Sequence, residues 1–434
     1  MNSDTPKVLH HIAAAPLLHH ALTTARSLEP ARIVVVTGHE AEAVSKSAEA
    51  FDPSVECVLQ DPQLGTAHAV DMAAPLLAES HGEAIVLYGD TPFIRPETLE
   101  AMLQARARHS VVVLGFEAKD PGRYGRLIAT GENLEKIVEY KDASEKERTI
   151  TLCNSGVICA SAKTLFELIA QVGNSNAAAE FYLTDIVEIA RAQGLSAGVV
   201  TCDESETLGV NTRAQLAEAE GAFQSRARAE ALENGVTLTA PETVFFALDT
   251  HIGRDAIIGP NVFFGPAVTI ESGAEIKGFC HLEGCHVSRG ATVGPFARLR
   301  PGAELAEDVH VGNFVEIKNA ILDEGVKVGH LTYIGDADIG EFTNIGAGTV
   351  TCNYDGVMKH RTKIGKRAFI GSDTMLVAPV TIGNDALTAS GSVITENVPD
   401  EALAVGRSKQ VNKPGLATKL MARLKAIKAA KGKS

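Results

Sequence analysis

In the first half of the chain, three short segments carry residue types suited to binding a phosphorylated nucleotide. Lys7 precedes a helical pattern, and Gly65-Thr66 leads directly into a helix whose first amides could face an anion or a base edge. A plain N-cap explains Gly65-Thr66 equally well, and a lone surface lysine is usually only solvated. Tyr88-Gly89-Asp90 ends a very apolar strand pattern. Ligands lie at the carboxyl ends of strands in open α/β sheets, and a carboxylate there suits a hard cation such as Mg²⁺.

In the second half, basic residues recur around one histidine. Arg300, Lys318 and Lys359 could together clamp a phosphate group. His330 could accept a proton from an amine nucleophile near neutral pH. A lone histidine is more often structural, but the neighbouring Glu316 and the cationic residues favour a catalytic role.

The elements that must position the first group alternate between strand and helix patterns. Residues 31–39, 84–90 and 110–115 are apolar runs typical of buried strands, whereas residues 63–80 and 96–108 have helical patterns. Such alternation predicts parallel pairing and an α/β sheet of the Rossmann-like kind. Residues 212–234 are rich in Ala, Glu, Gln and Arg without proline, which predicts one long exposed linker helix.

The elements that must position the second group repeat every six residues. A six-residue aliphatic period fits neither a strand nor an α-helix and is the signature of a parallel β-helix. The segment from Val350 to Lys363 interrupts the period and, with Asn353, Tyr354, Lys359 and His360, is predicted to belong to the binding face. The period runs, with slips of phase, through Ile252, Ile258, Phe264, Ile270, Ile276, Leu282, Val287, Val293, Leu299, Leu305, Val311, Ile317, Val328, Ile334, Ile339, Ile345, Ile364, Ile370, Leu376, Ile382, Thr388 and Ile394.

These patterns divide the chain into four parts. Residues 1–213 form the α/β domain, 214–234 the helical linker, 235–411 the β-helix and 412–434 a basic tail. The tail carries a helical stripe of Leu416, Leu420, Leu424 and Ile427, which predicts a helix that docks by this stripe and solvates its lysines.

Composition excludes several classes of partner. Forty Lys and Arg stand against 54 Asp and Glu, a net charge of −14, which argues against binding to nucleic acid or to an anionic membrane. No apolar run is long enough to span a membrane, and the opening residues lack a signal-peptide pattern. The seven scattered cysteines lack zinc-ligand spacing, so we expect reduced thiols in the cytoplasm.

The motifs of the first half occur in the order seen in sugar-1-phosphate nucleotidyltransferases. They are Pro6-Lys7-Val8-Leu9, the segment 59–68, Leu87-Tyr88-Gly89-Asp90, Tyr124-Gly125-Arg126, Ile137-Val138-Glu139, Asn154-Ser155-Gly156 and Gly209-Val210-Asn211. They most resemble the uridyltransferase domain of the bifunctional N-acetylglucosamine-1-phosphate uridyltransferase/glucosamine-1-phosphate N-acetyltransferase family. That domain joins UTP to N-acetylglucosamine 1-phosphate and releases pyrophosphate.

The resemblance implies a role for each matching residue of the first domain. Lys7 would contact phosphates, and Gln60, Gly65 and Thr66 would hold the uracil. The sugar pocket would be lined by Tyr88, Gly89, Gly125, Glu139 and Asn154. Asp90 and Asn211 would bind Mg²⁺. Lysine and Mg²⁺ fit phosphoryl transfer, which depends on positioning and charge neutralisation.

The second half is similar, nearly word for word, to the acetyltransferase domain of the same family, a left-handed β-helix. The resemblance implies that glucosamine 1-phosphate attacks acetyl-CoA, with His330 as general base oriented by Glu316. The sugar phosphate would be bound by Arg300, Lys318, Tyr333, Asn344 and Lys359, and acetyl-CoA by Ala347, Asn353, Tyr354, Ser372, Ser390 and Arg407. It also implies a cytoplasmic homotrimer with sites between neighbouring β-helices, serving peptidoglycan and lipopolysaccharide synthesis.

The resemblance spans residues 3–412 but departs from the family at its start. The family opens with a strand and a glycine-rich loop before the Pro-Lys motif, and only Met1 stands there in this sequence. We therefore expect a sheet lacking a central strand of about 5–6 residues, with unpaired strand edges and an exposed core. We expect little or no uridyltransferase activity from the 434-residue chain.

Three other interpretations remain open. A β-helix metal hydratase needs three histidines on zinc, for which the candidates are His281, His286, His310 and His330. In a second alternative, the chain is an acetyltransferase only, and its first domain is a non-catalytic binding scaffold. In the third, the first domain transfers a nucleotide to another sugar while the β-helix regulates it.

Overall fold

The computed structural model describes residues 1–176 and 178–431, which form two compact units. Unit 1 comprises Met1–Glu233, Phe245–Thr250 and Phe264–Ala267. Unit 2 comprises Asn234–Val244, His251–Phe263 and the residues from Val268 onward.

Unit 1 alternates strands and helices along most of its length. Its strands are β1 (His11–Ile12), β2 (Ala15–Pro16), β3 (Val34–Thr37), β4 (Glu56–Leu59), β5 (Glu83–Val86), β6 (Val111–Glu117), β7 (Arg126–Thr130), β8 (Asn133–Val138), β9 (Leu152–Ser161) and β10 (Ala197–Cys202). Its helices are α1 (Leu17–Ser27), α2 (Ala41–Phe51), α3 (Thr66–Asp71), α4 (Ala74–Leu77), α5 (Pro96–Ala105), α6 (Glu145–Arg148), α7 (Ala162–Ile169), α8 (Asp185–Ala192) and α9 (Arg213–Glu233).

The main sheet of unit 1 is mixed rather than purely parallel. Its order is β5-β9-β6-β10-β8-β7, with β6 and β10 parallel but β9 antiparallel to both β5 and β6. The α/β class is therefore confirmed, and the expectation of all-parallel pairing is wrong at β9. Strand β6 is buried on both faces, because Val111 and Val113 pack into one core cluster and Val112 and Leu114 into another. Each such side chain contributes about 1.5–3 kcal/mol by burial.

A separate two-stranded sheet, β3 with β4, lies across a cavity from β5. In the described residues β3 pairs only with β4, and β5 pairs only with β9. The cavity has a volume of about 530 Å³, and its apolar walls include Val34 and Val36 of β3 and Ile85 and Val86 of β5. The low uridyltransferase turnover expected of the 434-residue chain stays a prediction, which a direct assay of that chain tests.

Helix α9 is not exposed on every side, contrary to its interpretation as a free linker. Ala219, Phe223 and Gln224 are buried in unit 1. The Gln224 side chain donates to the Phe246 carbonyl at 2.7 Å and accepts from the Phe246 amide at 2.8 Å. Because the local composition is polar and helix-forming, this buried face was not visible in the sequence.

The hexad region folds as a parallel β-helix, as its period predicts, and it agrees with the left-handed form that the resemblance implies. The residues of the six-residue period are buried apart from the half-buried Ile252, and Ile258, Ile276, Val293, Val311 and Val328 are all fully buried. The strands of the region are β11 (Thr237–Leu238), β12 (His251–Ile252), β13 (Ile257–Ile258), β14 (Phe263–Phe264), β15 (Val268–Ile270), β16 (Glu275–Ile276), β17 (His281–Leu282), β18 (Cys285–Val287), β19 (Thr292–Val293), β20 (Arg298–Leu299), β21 (Ala303–Leu305), β22 (His310–Asn313), β23 (Glu316–Leu322), β24 (Lys327–His330), β25 (Tyr333–Ile339), β26 (Asn344–Ile345), β27 (Val350–Cys352), β28 (Thr362–Ile364), β29 (Phe369–Ile370), β30 (Met375–Val377), β31 (Val380–Ile382), β32 (Leu387–Thr388), β33 (Val393–Ile394) and β34 (Leu403–Ala404).

The tail forms the predicted helix, α10 (Leu416–Lys431), but its predicted docking is not seen. All of its residues are exposed, including the stripe of Leu416, Leu420, Leu424 and Ile427. The seven cysteines are free thiols. In the described part of the chain, no helix is both long and apolar enough to cross a membrane.

Candidate functional sites

In unit 1, Lys7, Asp90 and Asn211 meet at one point although they are far apart in sequence. The Lys7 ammonium pairs with the Asp90 carboxylate and donates to Asn211 Oδ1 at 2.7 Å. The Val210 amide also donates to the Asp90 carbonyl at 3.1 Å, which ties the two segments together. Two hard oxygen donors thus face one cation, here an ammonium group. This donor set fits the Mg²⁺ expected from the sequence.

The predicted sugar-pocket residues lie beside this point. The backbone amide of Asn154 donates a hydrogen bond to the Gly125 carbonyl at 2.9 Å. A Cβ on Gly125 would lie 3.4 Å from Glu139 Oε1 and 3.5 Å from the Asn154 Cβ, so Gly125, Glu139 and Asn154 lie side by side. Burial, followed by the charges of Glu139 and Asp90, raises the pKa of Tyr88 to about 12. Tyr88 therefore stays a neutral hydrogen-bond donor beside the two carboxylates.

The residues predicted to bind uracil contact a segment around residues 181–183, which the sequence analysis did not single out. Gly65 has φ +123°, and a Cβ there would lie 2.5 Å from the Phe181 carbonyl oxygen. Thr66 Oγ1 accepts the Leu183 amide at 2.9 Å, and Gln60 Nε2 donates to the Gly65 carbonyl at 2.9 Å. The glycine is therefore required by its backbone conformation and by the close approach of residue 181.

One cavity reaches three of the predicted residues. The cavity between β3 and β5 is lined by Thr66 as well as by Tyr88 and Gly89. The sequence missed Thr184, whose hydroxyl donates to Glu139 Oε1 at 3.3 Å, because its role depends on a contact 45 residues away. Burial raises the pKa of Glu139, and burial with Glu188 and Glu139 raises the pKa of Asp185 to about 6.

In unit 2, His330 is exposed at the end of β24 and has one clear partner. Its Nδ1 lies 2.7 Å from Asn313 Oδ1 on the preceding coil. Glu316, which was expected to orient His330, instead pairs with Arg300 at 2.8 Å. The sequence missed Asn313, although its separation of 17 residues from His330 is one coil of the solenoid.

The three cations predicted to clamp a phosphate come together on neighbouring coils. Contact with Lys359, then partial burial and the charge of Arg300, lower the pKa of Lys318. Burial raises the pKa of Asp336, but hydrogen bonds from Asn319 and Asn353 and the two lysine charges outweigh it and lower that pKa. Arg300, Lys318 and Lys359 thus form a cationic cluster, for which Asp336 and Glu316 supply negative charge.

The segment between β27 and β28, which the sequence predicts to belong to the binding face, brings Lys359 to this cluster. Asp355 Oδ1 accepts the Val357 and Met358 amides, and its other oxygen pairs with His360 Nε2 at 2.7 Å. These bonds lower the pKa of Asp355 to about 2, so the turn is held by a carboxylate at neutral pH. Tyr354 and Lys359 form an isolated antiparallel β-bridge across the turn, and the Tyr354 side chain is 60% exposed.

The residues predicted to bind acetyl-CoA lie at two different places in unit 2. Ala347, Ser372 and Ser390 lie on successive coils at one corner, where the Asp373 amide donates to the Ala347 carbonyl at 2.7 Å and the Gly391 amide to the Ser372 carbonyl at 2.8 Å. Arg407 reaches the same corner beside Gly391. Asn353, by contrast, is buried and donates to Asp336 in the cationic cluster.

Of the remaining predicted residues, Tyr333 lies beside the cluster, whereas Asn344 lies on the separate ladder of β24 and β26. Tyr333 begins β25 next to Glu316, and its hydroxyl lies over Gly335, where a Cβ would be 2.3 Å away. Asn344 begins β26 and pairs with Lys327 of β24. Within residues 1–176 and 178–431, no group of three or more His, Cys, Asp or Glu side chains is arranged to hold a metal ion. The histidine-based hydratase therefore has no support in that part of the chain.

Comparison with known proteins agrees with this division. The model of MobA-like NTP transferase domains matches residues 1–180, and that of bacterial transferase hexapeptide repeats (six repeats) matches residues 361–396. The bifunctional protein GlmU of Cereibacter sphaeroides is 76% identical over 433 residues, which cover 100% of this chain and 95% of that protein. The bifunctional protein GlmU of Paracoccus denitrificans is 68% identical over 425 residues, 98% of this chain and 95% of that one.

Among solved structures, UDP-glucose pyrophosphorylase complexed with UDP-glucose matches 51% of this chain and 91% of that chain. The TM-score is 0.42 and the identity 16%, a likeness too low to bear on the site.

A nucleotidyltransferase unit joined to a hexapeptide acyltransferase unit defines a two-domain transferase. The near-complete match to its relatives goes further, and the chain belongs to the family of bifunctional GlmU proteins. It is therefore an enzyme with a uridyltransferase and an acetyltransferase activity, and neither the scaffold nor the regulatory alternative is supported.

Proposed function

We propose that unit 2 transfers the acetyl group of acetyl-CoA to glucosamine 1-phosphate, with His330 as general base. The observation that carries this proposal is the 2.7 Å hydrogen bond between His330 Nδ1 and Asn313 Oδ1. An amide oxygen only accepts, so Nδ1 carries the proton and the lone pair is left on Nε2. Because His330 is exposed, Nε2 is open to a substrate amine.

In this reaction the amine nitrogen attacks the thioester carbonyl carbon and forms the new C–N bond. The C–S bond then breaks, and coenzyme A leaves with the electron pair on sulfur. His330 Nε2 takes the proton released from the nitrogen. Asn313 acts as a positioning residue, because it fixes the tautomer and the orientation of the ring.

The substrates would be held on either side of the base. The cationic cluster of Arg300, Lys318 and Lys359 matches the dianionic phosphate of the sugar, with Tyr333 and Asn344 beside it. The corner that carries Ala347, Ser372, Ser390 and Arg407 suits the extended chain of acetyl-CoA. Asn353 and Tyr354 lie on the loop that delivers Lys359, so we propose that they close the sugar-phosphate side of the site.

In unit 1, we propose that a phosphate oxygen of N-acetylglucosamine 1-phosphate attacks the α-phosphorus of UTP, which releases pyrophosphate. Gln60, Gly65 and Thr66 would hold the uracil, and Tyr88, Gly89, Gly125, Glu139 and Asn154 the sugar. Asp90 and Asn211 would hold Mg²⁺, which when bound neutralises charge on the phosphates. Lys7 would contribute a further positive charge to the same phosphates.

The two activities can be tested against each other in one protein. His330→Ala should lower acetylation of glucosamine 1-phosphate, followed as free coenzyme A thiol, by about 10²–10⁴-fold. It should leave uridylyl transfer, followed as pyrophosphate release, at the level of the unaltered chain, which we expect to be low. Asp90→Asn should lower this residual uridylyl transfer further and leave acetylation unchanged. Acetylation that survives His330→Ala at the normal rate would refute the proposed base.

We also propose that the protein is a homotrimer associated through an exposed apolar ridge of unit 2. The ridge consists of Phe279, Phe296, Phe314 and Leu331, which are 52, 46, 56 and 63% exposed. Its rings stack with centroids 4.8 Å and 5.4 Å apart. A contiguous apolar surface of this kind is typical of an interface. Since Phe314 and Leu331 directly follow Asn313 and His330, association here would put each base beside a neighbouring copy.

Substitution on the ridge tests this assembly. Phe296→Asp should convert the trimer to monomer in sedimentation experiments and lower acetylation. The matched control is Phe342→Asp, which has similar exposure (57%) and the same left-handed backbone but whose ring lies over Gly325 rather than against another of the ridge side chains. A trimer that survives Phe296→Asp would place the interface elsewhere.

We propose a cytoplasmic enzyme that supplies UDP-N-acetylglucosamine to peptidoglycan and lipopolysaccharide synthesis. The unpaired thiols support a reducing compartment. In a cell fractionation experiment, we expect to recover the protein in the cytoplasmic fraction.

A further inference from the structure

The Lys7 ammonium stands at the point where the two predicted metal ligands converge. It pairs with the Asp90 carboxylate and donates to Asn211 Oδ1 at 2.7 Å. These are the side-chain oxygens that the proposed function assigns to Mg²⁺. A divalent ion coordinated by both oxygens and an ammonium bonded to both oxygens would occupy the same volume, so the two cations exclude each other.

The backbone of Lys7 is held in place while its side chain is free to swing. Lys7–Leu9 forms a short 3₁₀ turn in which the Leu9 amide donates to Pro6 and the His10 amide to Lys7. Val8 packs against Gly89, the neighbour of Asp90, because a Cβ on Gly89 would lie 3.3 Å from Val8 Cγ1. The Lys7 side chain is 37% exposed. Rotation about its four-carbon stem can therefore move the ammonium without moving the turn.

We propose that Lys7 is a resident counter-ion of the metal site, which a divalent cation displaces. In the absence of metal, its ammonium neutralises Asp90 and keeps the Asp90 and Asn211 oxygens facing each other. Once the oxygens are taken by a metal ion, repulsion between the two cations drives the ammonium away from them. The ammonium is then available to the nucleotide phosphates. This inference rests on the proposed metal role of Asp90 and Asn211.

The first test measures Mn²⁺ alone, as a paramagnetic substitute for Mg²⁺, by the loss of the free-ion EPR signal on titration with the full-length protein. Lys7→Met removes the competing charge and should tighten Mn²⁺ binding at least about tenfold, which is about 1.4 kcal/mol. Lys7→Arg keeps the charge and should bind like the wild type. The matched control is Lys136→Met, which breaks the 2.9 Å pair with Glu147 and should not change Mn²⁺ affinity.

A second test uses the unaltered protein, so it does not depend on how the variants fold. Acetylation of Lys7 by acetic anhydride, quantified by peptide mass spectrometry, should increase when Mn²⁺ is added, because the ammonium leaves its ion pair. Lys136 serves as the internal control and should keep the same labelling.

The outcomes separate this inference from the metal site itself. If Asp90→Asn abolishes Mn²⁺ binding but Lys7→Met leaves the affinity unchanged, Lys7 is not a competitor and this inference is wrong. If Asp90→Asn leaves Mn²⁺ binding as it was, the proposed metal site is wrong and the inference fails with it. Lys7 labelling that is unchanged or lower with Mn²⁺ also overturns the displacement.

Discussion

Replacement of Asn313 by alanine tests the positioning of the catalytic base most directly. The variant loses the 2.7 Å hydrogen bond to His330 Nδ1 but keeps the imidazole and the cationic cluster. A neutral hydrogen bond is worth about 1 kcal/mol net, which corresponds to a fall of about fivefold in rate if the bond only orients the ring. Because freeing Nδ1 also lets the proton move to Nε2, fivefold is the lower bound.

The assay is steady-state acetylation with both substrates varied. We expect kcat to fall at least about fivefold while KM for glucosamine 1-phosphate stays within about twofold, since Asn313 is not part of the cationic cluster. Asn313→Asp retains an oxygen acceptor and should recover part of the rate lost in the alanine variant. The matched control is Asn397→Ala, which removes a 2.8 Å bond from the Thr381 amide elsewhere in the β-helix and should leave kcat unchanged.

Two results would refute this reasoning. One is an unchanged kcat in Asn313→Ala, which would mean that the hydrogen bond does not matter for the base. The other is a loss confined to KM, which would make Asn313 a substrate-binding residue. The free energy of unfolding should be measured for each variant, so that a loss of structure is recognised.

The other predictions concern the phosphate cluster and the stability of unit 1. Lys359→Met should raise KM for glucosamine 1-phosphate about tenfold or more, with a smaller effect on kcat. The reason is that it removes one of the cations proposed to bind the substrate phosphate together with Lys318. The folded-state pKa of Asp185, about 6, lies above its ordinary value, so its carboxyl destabilises the fold increasingly as pH rises from about 4 to 6. Asp185→Asn should therefore raise the unfolding midpoint at pH 7 and not at pH 3.5, and equal shifts at both would contradict this. Gly131→Ala should lower the free energy of unfolding, measured by chemical denaturation, by ~1 kcal/mol. Gly65→Ala should lower it by more. Both glycines have positive φ, but only Gly65 lies against backbone, 2.5 Å from the Phe181 oxygen; equal losses would refute the contact.

Much of the β-helix could be predicted from the chain because its pattern is local. The aliphatic period depends only on which residues avoid water, so Ile258, Val293 and Ile370 were assigned inward, and they are fully buried. The grouping of Arg300, Lys318 and Lys359 follows partly from the same regularity. The polar contacts of the site were harder to foresee. Asn313 with His330, and Asn319 and Asn353 with Asp336, are each separated by 17 residues, one coil of the solenoid, and that spacing was the available signal.

In unit 1 the local pattern was less informative. The strand pattern of residues 110–115 predicted β6, yet the antiparallel pairing of β9 against it was not foreseen. Helix α9 was recognised as a helix, but its buried residues, such as Phe223, were not. Pairing direction and burial of this kind depend on neighbours brought by distant parts of the chain, which the propensity of a short segment does not contain.

The order of residues along the chain was enough to predict the two architectures, the inward residues of the solenoid and the residue types able to handle phosphates and protons. Those properties follow from the preference of each side chain for water or core and from the geometry of one repeat. The folded chain was needed to see that Lys7 meets Asn211 across 204 residues and that Asn313, rather than Glu316, bonds His330. The physical reason is that such contacts are fixed by the combined packing of many elements, whose hydrophobic burial outweighs the entropy of bringing distant residues together.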